Sequence, residues 1–167
     1  NIMLVNLEIN KSNLEKNLKI VRSINKNLIC VIKDNAYGLG IENILPILLE
    51  NKCDYFAVAY IEEAVKIQKL ENLKLKNQNG KIKVMALNYV KPENVGDAIR
   101  NNIELTVFNF SQLLDYLKIL DEFFENMTLK IHIKVNSGMN RLGFDKNEIL
   151  ELVKIVKKYN LNNKSKN

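Results

Sequence analysis

Two lysines, a tyrosine and an arginine are the residues whose types and spacing could do chemistry. Lys33 closes the apolar run Leu28-Ile29-Cys30-Val31-Ile32 and is followed by Asp34-Asn35-Ala36-Tyr37-Gly38-Leu39-Gly40. An amine delivered to the carboxyl end of a buried strand, beside a glycine-containing turn and the phenol of Tyr37, has good geometry for reactivity. Such an amine must be neutral to attack a carbonyl or accept a proton, and desolvation and cationic neighbours both push its pKa down. A second constellation follows a hundred residues later in His132-Ile133-Lys134-Val135-Asn136-Ser137-Gly138-Met139-Asn140-Arg141-Leu142-Gly143-Phe144. Lys134 stands near the end of a strand-like run, and the glycine-containing loop after it brings in Arg141. Three cations in one mouth repel unless a phosphate, a carboxylate or a modified lysine sits among them. Read from spacing alone, a plainer alternative stands beside this one: strand lysines usually face solvent, and Arg141 is then a surface residue.

The elements that must position these groups are legible in the hydrophobic pattern. Leu4 to Ile9 alternates as a half-exposed strand does. Ser12 and Glu15 have the spacing of a capping box, which predicts a helix over 13–24 on Leu14, Leu18 and Val21. The strand ending at Lys33 is followed by a helix on Ile44, Leu45, Leu48 and Leu49. Starting that helix near Asn43 keeps Pro46 in the permissive first turn. Strands are expected at 54–59, 82–87, 105–108 and 129–135. Helices are expected over 62–70, from Pro92 to Asn101, on Phe110, Leu113, Leu114 and Leu117, and on Ile149, Leu152, Val153 and Val156. Residues 74–81 (KLKNQNGK) read as a polar loop.

Strands alternating with helices at about 25 to 30 residues predict βαβ units and a parallel sheet. A doubly wound dinucleotide fold calls for G-x-G-x-x-G after the first strand, whereas Gly38 and Gly40 have no third glycine in register and follow a lysine. The α/β class that fits better is an incomplete (β/α)8 TIM-type barrel: about five parallel core strands, preceded by an N-terminal strand and helix. Residues 1–156 read as one partial barrel domain and 157–167 as a polar low-complexity tail rich in Asn and Lys.

With 167 residues, 47% hydrophobic and 26% charged, the chain has the composition of a globular domain able to bury a core. No apolar run approaches the ~18 residues of a membrane span, and the first residues lack the features of a secretion signal. Cys30 and Cys53 lie in apolar runs without metal spacing, which reads as reduced core thiols of a cytoplasmic protein. The net charge of +6 is spread along the chain rather than concentrated with aromatics, which argues against nucleic-acid binding. The one histidine, His132, sits in a strand beside Lys130 and Lys134. It reads as a structural residue beneath the mouth, which disfavours a Ser-His-Asp hydrolase; Ser137 and Cys30 have no visible base partner.

The stretch Val31 to Gly40 resembles the cofactor-lysine signature of alanine racemases, pyridoxal-phosphate enzymes of the barrel type, and Lys134 to Phe144 resembles their second signature. Phe56-Ala57-Val58-Ala59 followed by Glu62-Glu63-Ala64 is similar to that family's second barrel strand and its helix, and the similarity runs from about Val5 to Val156. The resemblance implies interconversion of L- and D-alanine for cell-wall peptidoglycan, with pyridoxal 5'-phosphate as cofactor and a homodimer for the full-length enzyme. It implies that Lys33 holds the cofactor as a Schiff base and then serves as one of two acid–base groups. Tyr37 would hydrogen-bond the cofactor phosphate. Arg141 would face the ring hydroxyl and orient the substrate carboxylate, with Met139 near the substrate. Lys134 matches a lysine that many members carry as a carbamate, whose charge would pair with Arg141.

Two positions depart from the pattern: Leu39 stands where the signature usually has His, and Asn136 where it usually has Asp. The first should loosen the turn after Tyr37, and the second removes a carboxylate near the mouth. The resemblance also implies segments that these residues do not include, namely the rest of the barrel and a C-terminal β domain with the tyrosine that acts on the opposite substrate face. The chain by itself is therefore expected to be inactive and prone to aggregate or to stay molten, its sheet edges open. Other readings are another barrel-type pyridoxal-phosphate protein (an amino-acid decarboxylase or a cofactor-homeostasis protein), against which the run around Arg141 argues, and a non-enzymatic piece.

Overall fold

The computed structural model describes residues 6–74, 82–124 and 127–164. The expected N-terminal strand is not found in it: residues 6–10 have no regular structure, and 4 and 5 lie outside the described residues. Helix α1 (Lys11–Ile24) starts two residues earlier than the pattern predicts, because Asn10 caps it, its side chain accepting the N–H of Asn13 at 3.0 Å. The Ser12–Glu15 capping box does not form; the Ser12 hydroxyl donates to Asn10 Oδ1 instead, at 2.9 Å.

Strand β1 (Cys30–Val31) is short and gives way to a single helical turn, α2 (Lys33–Tyr37). Helix α3 (Ile41–Glu50) follows Gly40 and begins two residues before the expected start near Asn43, so Pro46 falls inside the helix. An interior proline costs roughly 3 kcal/mol. The helix survives because Ile41, Ile44, Leu45 and Leu48 on its inner face are buried, each contributing about 1.5–3 kcal/mol.

The remaining units follow the predicted order. They are β2 (Tyr55–Val58), α4 (Ile61–Lys74), β3 (Lys83–Ala86), a 3-10 turn (Pro92–Asn94) leading into α5 (Val95–Arg100), β4 (Ile103–Val107), α6 (Phe110–Phe123), β5 (Ile131–Ile133) and α7 (Ile149–Lys164). The KLKNQNGK loop, beyond Lys74 at the end of α4, lies outside the described residues. Helix α7 continues past residue 156 through the first part of the polar stretch.

All five strands pair in parallel in the order β1-β2-β3-β4-β5. A doubly wound sheet reverses its strand order, whereas a barrel wall is laid down sequentially. The two faces support the same conclusion. Phe56, Val58, Val84, Ala86, Ile103, Leu105 and Val107 are buried in the core that the helices cover. The intervening residues Tyr55, Ala57, Lys83, Met85, Glu104, Thr106 and His132, five of them polar, fall on the other face, as the strand period of two requires. Open parallel sheets are covered on both sides and read apolar throughout, so a polar inner face marks part of a barrel wall. The edges of that wall are β1 and β5.

Candidate functional site

Lys33 occupies the carboxyl rim at the β1 edge. Ile32, before it, is 4% exposed and continues the ladder by donating its N–H to the Ala57 carbonyl at 2.9 Å. Lys33 itself is half-buried; its Nζ lies 3.6 Å from Asp34 Oδ2 and 5.9 Å from the centre of the Tyr37 ring. At 3.6 Å between partly exposed groups, the Asp34 contact is too long for a hydrogen bond and holds the amine weakly.

The turn that presents this lysine is left-handed. Asp34, Asn35 and Ala36 have φ/ψ of 51/49, 54/49 and 55/47, and Tyr37 has φ of 55. The sequence reading gave the tight turning to Gly38 and Gly40; four residues with side chains do it first. Left-handed helical backbone costs about 1–2 kcal/mol per L-residue, so something must hold the segment. Its own bonds are complete: Ala36 N–H to the Ile32 carbonyl, Gly38 to Asp34, Leu39 to Ala36 and Gly40 to Asn35, at 2.9–3.1 Å. The Asn35 side chain accepts the N–H of Ile41 at 3.1 Å, capping α3, and Ala36 is buried. From across the sheet, Glu63 on α4 accepts the N–H of Asn35 at 3.1 Å while its other oxygen takes the N–H groups of Ala59 and Tyr60. The Leu39 carbonyl accepts the Asn43 amide at 3.0 Å, a bond to the backbone that does not depend on the side chain at position 39.

The second constellation lies at the opposite edge, on the same rim. Lys134 continues the β5 ladder, donating its N–H to Val107 at 2.8 Å. It is two residues beyond His132 and so shares its inward face. The chain then loops out and returns, Val135 bridging Phe144. Phe144 is fully buried against Phe110, and a Cβ on Gly143 would come within 2.6 Å of the Asn136 nitrogen, so the return admits only glycine there. Asn136 organises the loop: its carbonyl oxygen accepts Gly138 and Asn140 N–H, and its amide donates to Asn140 Oδ1 and to Asp145 Oδ1. An aspartate could not donate to Asp145, which accounts for the amide at this position.

Arg141 and Met139 are exposed at the tip of that loop, and neither Arg141 nor Lys134 has an ion pair among the described residues. The structure thus brings Lys33 and Tyr37 together and sets Lys134 on the same rim, while Arg141 and Met139 extend from the far edge. Four strand intervals separate the edges. In an eight-stranded barrel, strands about 4.8 Å apart and tilted by roughly 36° give a wall about 15 Å across. Edges four strands apart face each other over that width.

Beneath the rim lies a polar cluster that sequence reasoning missed apart from His132. Tyr55 donates to Glu104 Oε2 at 2.5 Å, and His132 Nε2 is 2.6 Å from the same oxygen and 2.9 Å from the Tyr55 hydroxyl. Burial alone would raise the Glu104 carboxyl. The hydrogen bonds from Tyr55 and His132, with the charges of His132 and Lys130, outweigh it and hold the group below its ordinary range. Burial, then the Glu104 hydrogen bond and charge, push the Tyr55 phenol well up, which keeps it a donor. The signal available in the sequence was a glutamate inside an otherwise apolar strand, Ile103-Glu104-Leu105, at the inward parity. Glu63 carried a signal too, as the third residue of its helix, where a carboxylate reaches back to the first free N–H groups.

With this geometry in hand, comparison with known proteins is direct. The family model described as alanine racemase, N-terminal domain, matches residues 9–164. Alanine racemase 1 of Clostridium acetobutylicum is 36% identical over 160 residues, which cover 92% of this chain and 38% of the relative. The alanine racemase of Clostridium novyi is also 36% identical, over 84% of this chain and 34% of its own length. Among solved structures, alanine racemase from Acinetobacter baumannii superposes with a TM-score of 0.73 at 29% identity, covering 91% of this chain and 43% of that one. The chain therefore spans little more than a third of the curated relatives it matches. It belongs to the alanine racemase family, and what it carries is that family's N-terminal barrel region.

Proposed function

We propose that this chain supplies the cofactor-lysine half of a pyridoxal-phosphate-dependent site that interconverts L- and D-alanine. The observation that carries the reading is the left-handed turn at Lys33. Strained, over-determined backbone persists where a group must be held in one place, and here it sits at the rim where barrel enzymes work. The donor set fits the cofactor: a half-exposed primary amine with only a long contact to Asp34, a phenol beside it, and cations on the facing edge for a phosphate and a carboxylate.

When bound, pyridoxal phosphate supplies an electron sink that makes the alpha proton of an amino acid removable. In this reading Lys33 anchors the cofactor through its amine and, once released, takes or returns that proton on one face. The Tyr37 hydroxyl donates to the cofactor phosphate. Arg141 orients the substrate carboxylate, with Met139 beside the substrate. Lys134, carried as a carbamate, neutralises the crowding with Arg141. Racemisation needs a proton donor on each face, and family resemblance assigns the second to a tyrosine of a C-terminal domain in a homodimer.

The test is to incubate the chain with pyridoxal phosphate, reduce with borohydride and map the labelled peptide. Label at Lys33, absent in Lys33→Ala, supports the reading; label spread over other lysines with none at Lys33 overturns it. Chiral analysis with L-alanine should show no D-alanine above background from the 167 residues assayed alone. Turnover by them would contradict the assignment of the second proton donor elsewhere.

A further inference from the structure

The amino-terminal rim of the barrel wall, opposite the lysine site, holds a pocket of about 630 Å³ lined by Arg22, Lys26, Lys52, Lys83, Asp54 and Tyr55 among others. That volume is in the usual range for small-molecule sites. Its four cations come from three places, the end of α1 and the loop after it, the loop before β2, and the start of β3, while the acid of the lining is Asp54. Glu104, which meets the same Tyr55 from β4, is already committed to Tyr55 and His132.

Two features show that the crowding is built. The Nε of Arg22 is buried without a hydrogen-bond partner, although its Nη2 contacts Cys53 Sγ at 3.4 Å. Buried unpaired donors are rare and ask for an explanation. Lys52 has φ of 58 in the turn that ends α3, where the Cys53 N–H returns to the Leu48 carbonyl at 2.9 Å. That position is ordinarily glycine, so a lysine there puts a cation into the pocket against backbone preference. Lys26 and Lys52 have no ion pair among the described residues, and the Lys83 amine lies over the Tyr55 ring, 5.6 Å from its centre.

We propose that this pocket binds a small polyanion carrying two or more phosphate groups. A guanidinium takes phosphate oxygens in pairs, and lysines add point charges around it. Four cations on three elements carry more charge than one phosphate neutralises, and a linear polyphosphate can engage several of them at once. The pocket is separated from Lys33 by the length of the strands, so binding here is independent of the cofactor reading.

The experiment is calorimetric titration of the 167-residue chain at low salt with sodium tripolyphosphate and, separately, with orthophosphate. The expected result is saturable 1:1 binding of tripolyphosphate, about tenfold tighter than orthophosphate and weakening as salt rises. Lys52→Gly should weaken it about fivefold or more while leaving the fold as stable or more so, because glycine relieves the positive φ. Lys26→Gln should weaken it similarly, and Lys91→Gln, on an exposed lysine elsewhere, should not. Absence of saturable heat overturns the proposal, as does binding that neither Lys52→Gly nor Lys26→Gln moves or that Lys91→Gln weakens equally.

Discussion

The Glu63 carboxylate accepts the backbone N–H of Asn35 at 3.1 Å, linking the first turn of α4 to the left-handed turn that follows Lys33. The partners lie 28 positions apart in the chain. Through its second oxygen Glu63 also holds Ala59 and Tyr60 at 3.0 and 3.2 Å, so one side chain ties the carboxyl end of β2, the start of α4 and the lysine turn into one unit.

Removing that tie should loosen the turn before it loosens the sheet. Glu63→Ala strips a charged acceptor from three N–H groups, and a hydrogen bond to a charged group is worth about 1.5–3 kcal/mol. The expected outcome is a loss of roughly 2–3 kcal/mol in stability and exchange of the Asn35 amide at least about tenfold faster than amides of β3. Glu63→Gln should recover part of both effects. Hydrogen exchange read residue by residue checks this; an Asn35 amide as protected in Glu63→Ala as in the parent would refute the link.

Stability and site geometry should also separate at Asp34. Its φ of 51 is uncomfortable for an L-residue, and its side chain makes only the 3.6 Å contact with Lys33. Asp34→Gly should therefore stabilise the chain by about 1 kcal/mol. The freed backbone should at the same time slow reductive capture of pyridoxal phosphate at Lys33. Denaturant titration and labelling rate measure the two, and a variant that is destabilised would show that the turn carries no strain.

What the sequence could reveal was set by the range of each interaction. The alternation of strand and helix and the lysine at the end of β1 are local patterns, and the sequential barrel wall follows from them by topology. The loop bearing Arg141 was legible as a motif. The Ser12–Glu15 pair was a sound local pattern that lost to Asn10, because either residue can start a helix and the Asn10 side chain takes the Asn13 N–H first. Pro46 misled because burial of four apolar neighbours outweighs one missing N–H. The handedness of Asp34–Tyr37 was hidden for another reason: Glu63, which holds the Asn35 N–H, lies outside the stretch Val31 to Gly40, and so do the groups that bury Ala36. The Tyr55–Glu104–His132 cluster joins three strands and is visible only once the register is known.

The two thiols should be inert in the folded chain. Burial, followed by the charge and hydrogen bonding of Cys53, pushes the Cys30 thiol up to about 12, so its reactive thiolate is scarce at neutral pH. Cys53 is 3% exposed. Iodoacetamide at pH 8 should leave both unmodified in the native chain and alkylate both in guanidinium chloride, as mass spectrometry would report. Rapid native labelling of Cys30 would mean that the β1 edge opens readily.

The cluster beneath the rim should make the fold acid-sensitive in a way that one substitution removes. Glu104 has a carboxyl held below its ordinary 4.5 in the folded chain. A depressed carboxyl contributes stability that is fully present above the unfolded value and is lost as pH falls through the folded one. Between neutral pH and that ordinary value the contribution is constant; below it, the parent chain should lose stability that Glu104→Gln never had. At pH 7 the variant should be less stable by about 2 kcal/mol, since the Tyr55 hydroxyl and His132 ring lose a charged partner. The gap between the two should then narrow as pH drops below about 4.5. Urea titrations of both chains across that window decide it, and a gap that stays constant or widens toward acid would show that the carboxyl is not stabilised in its charged form.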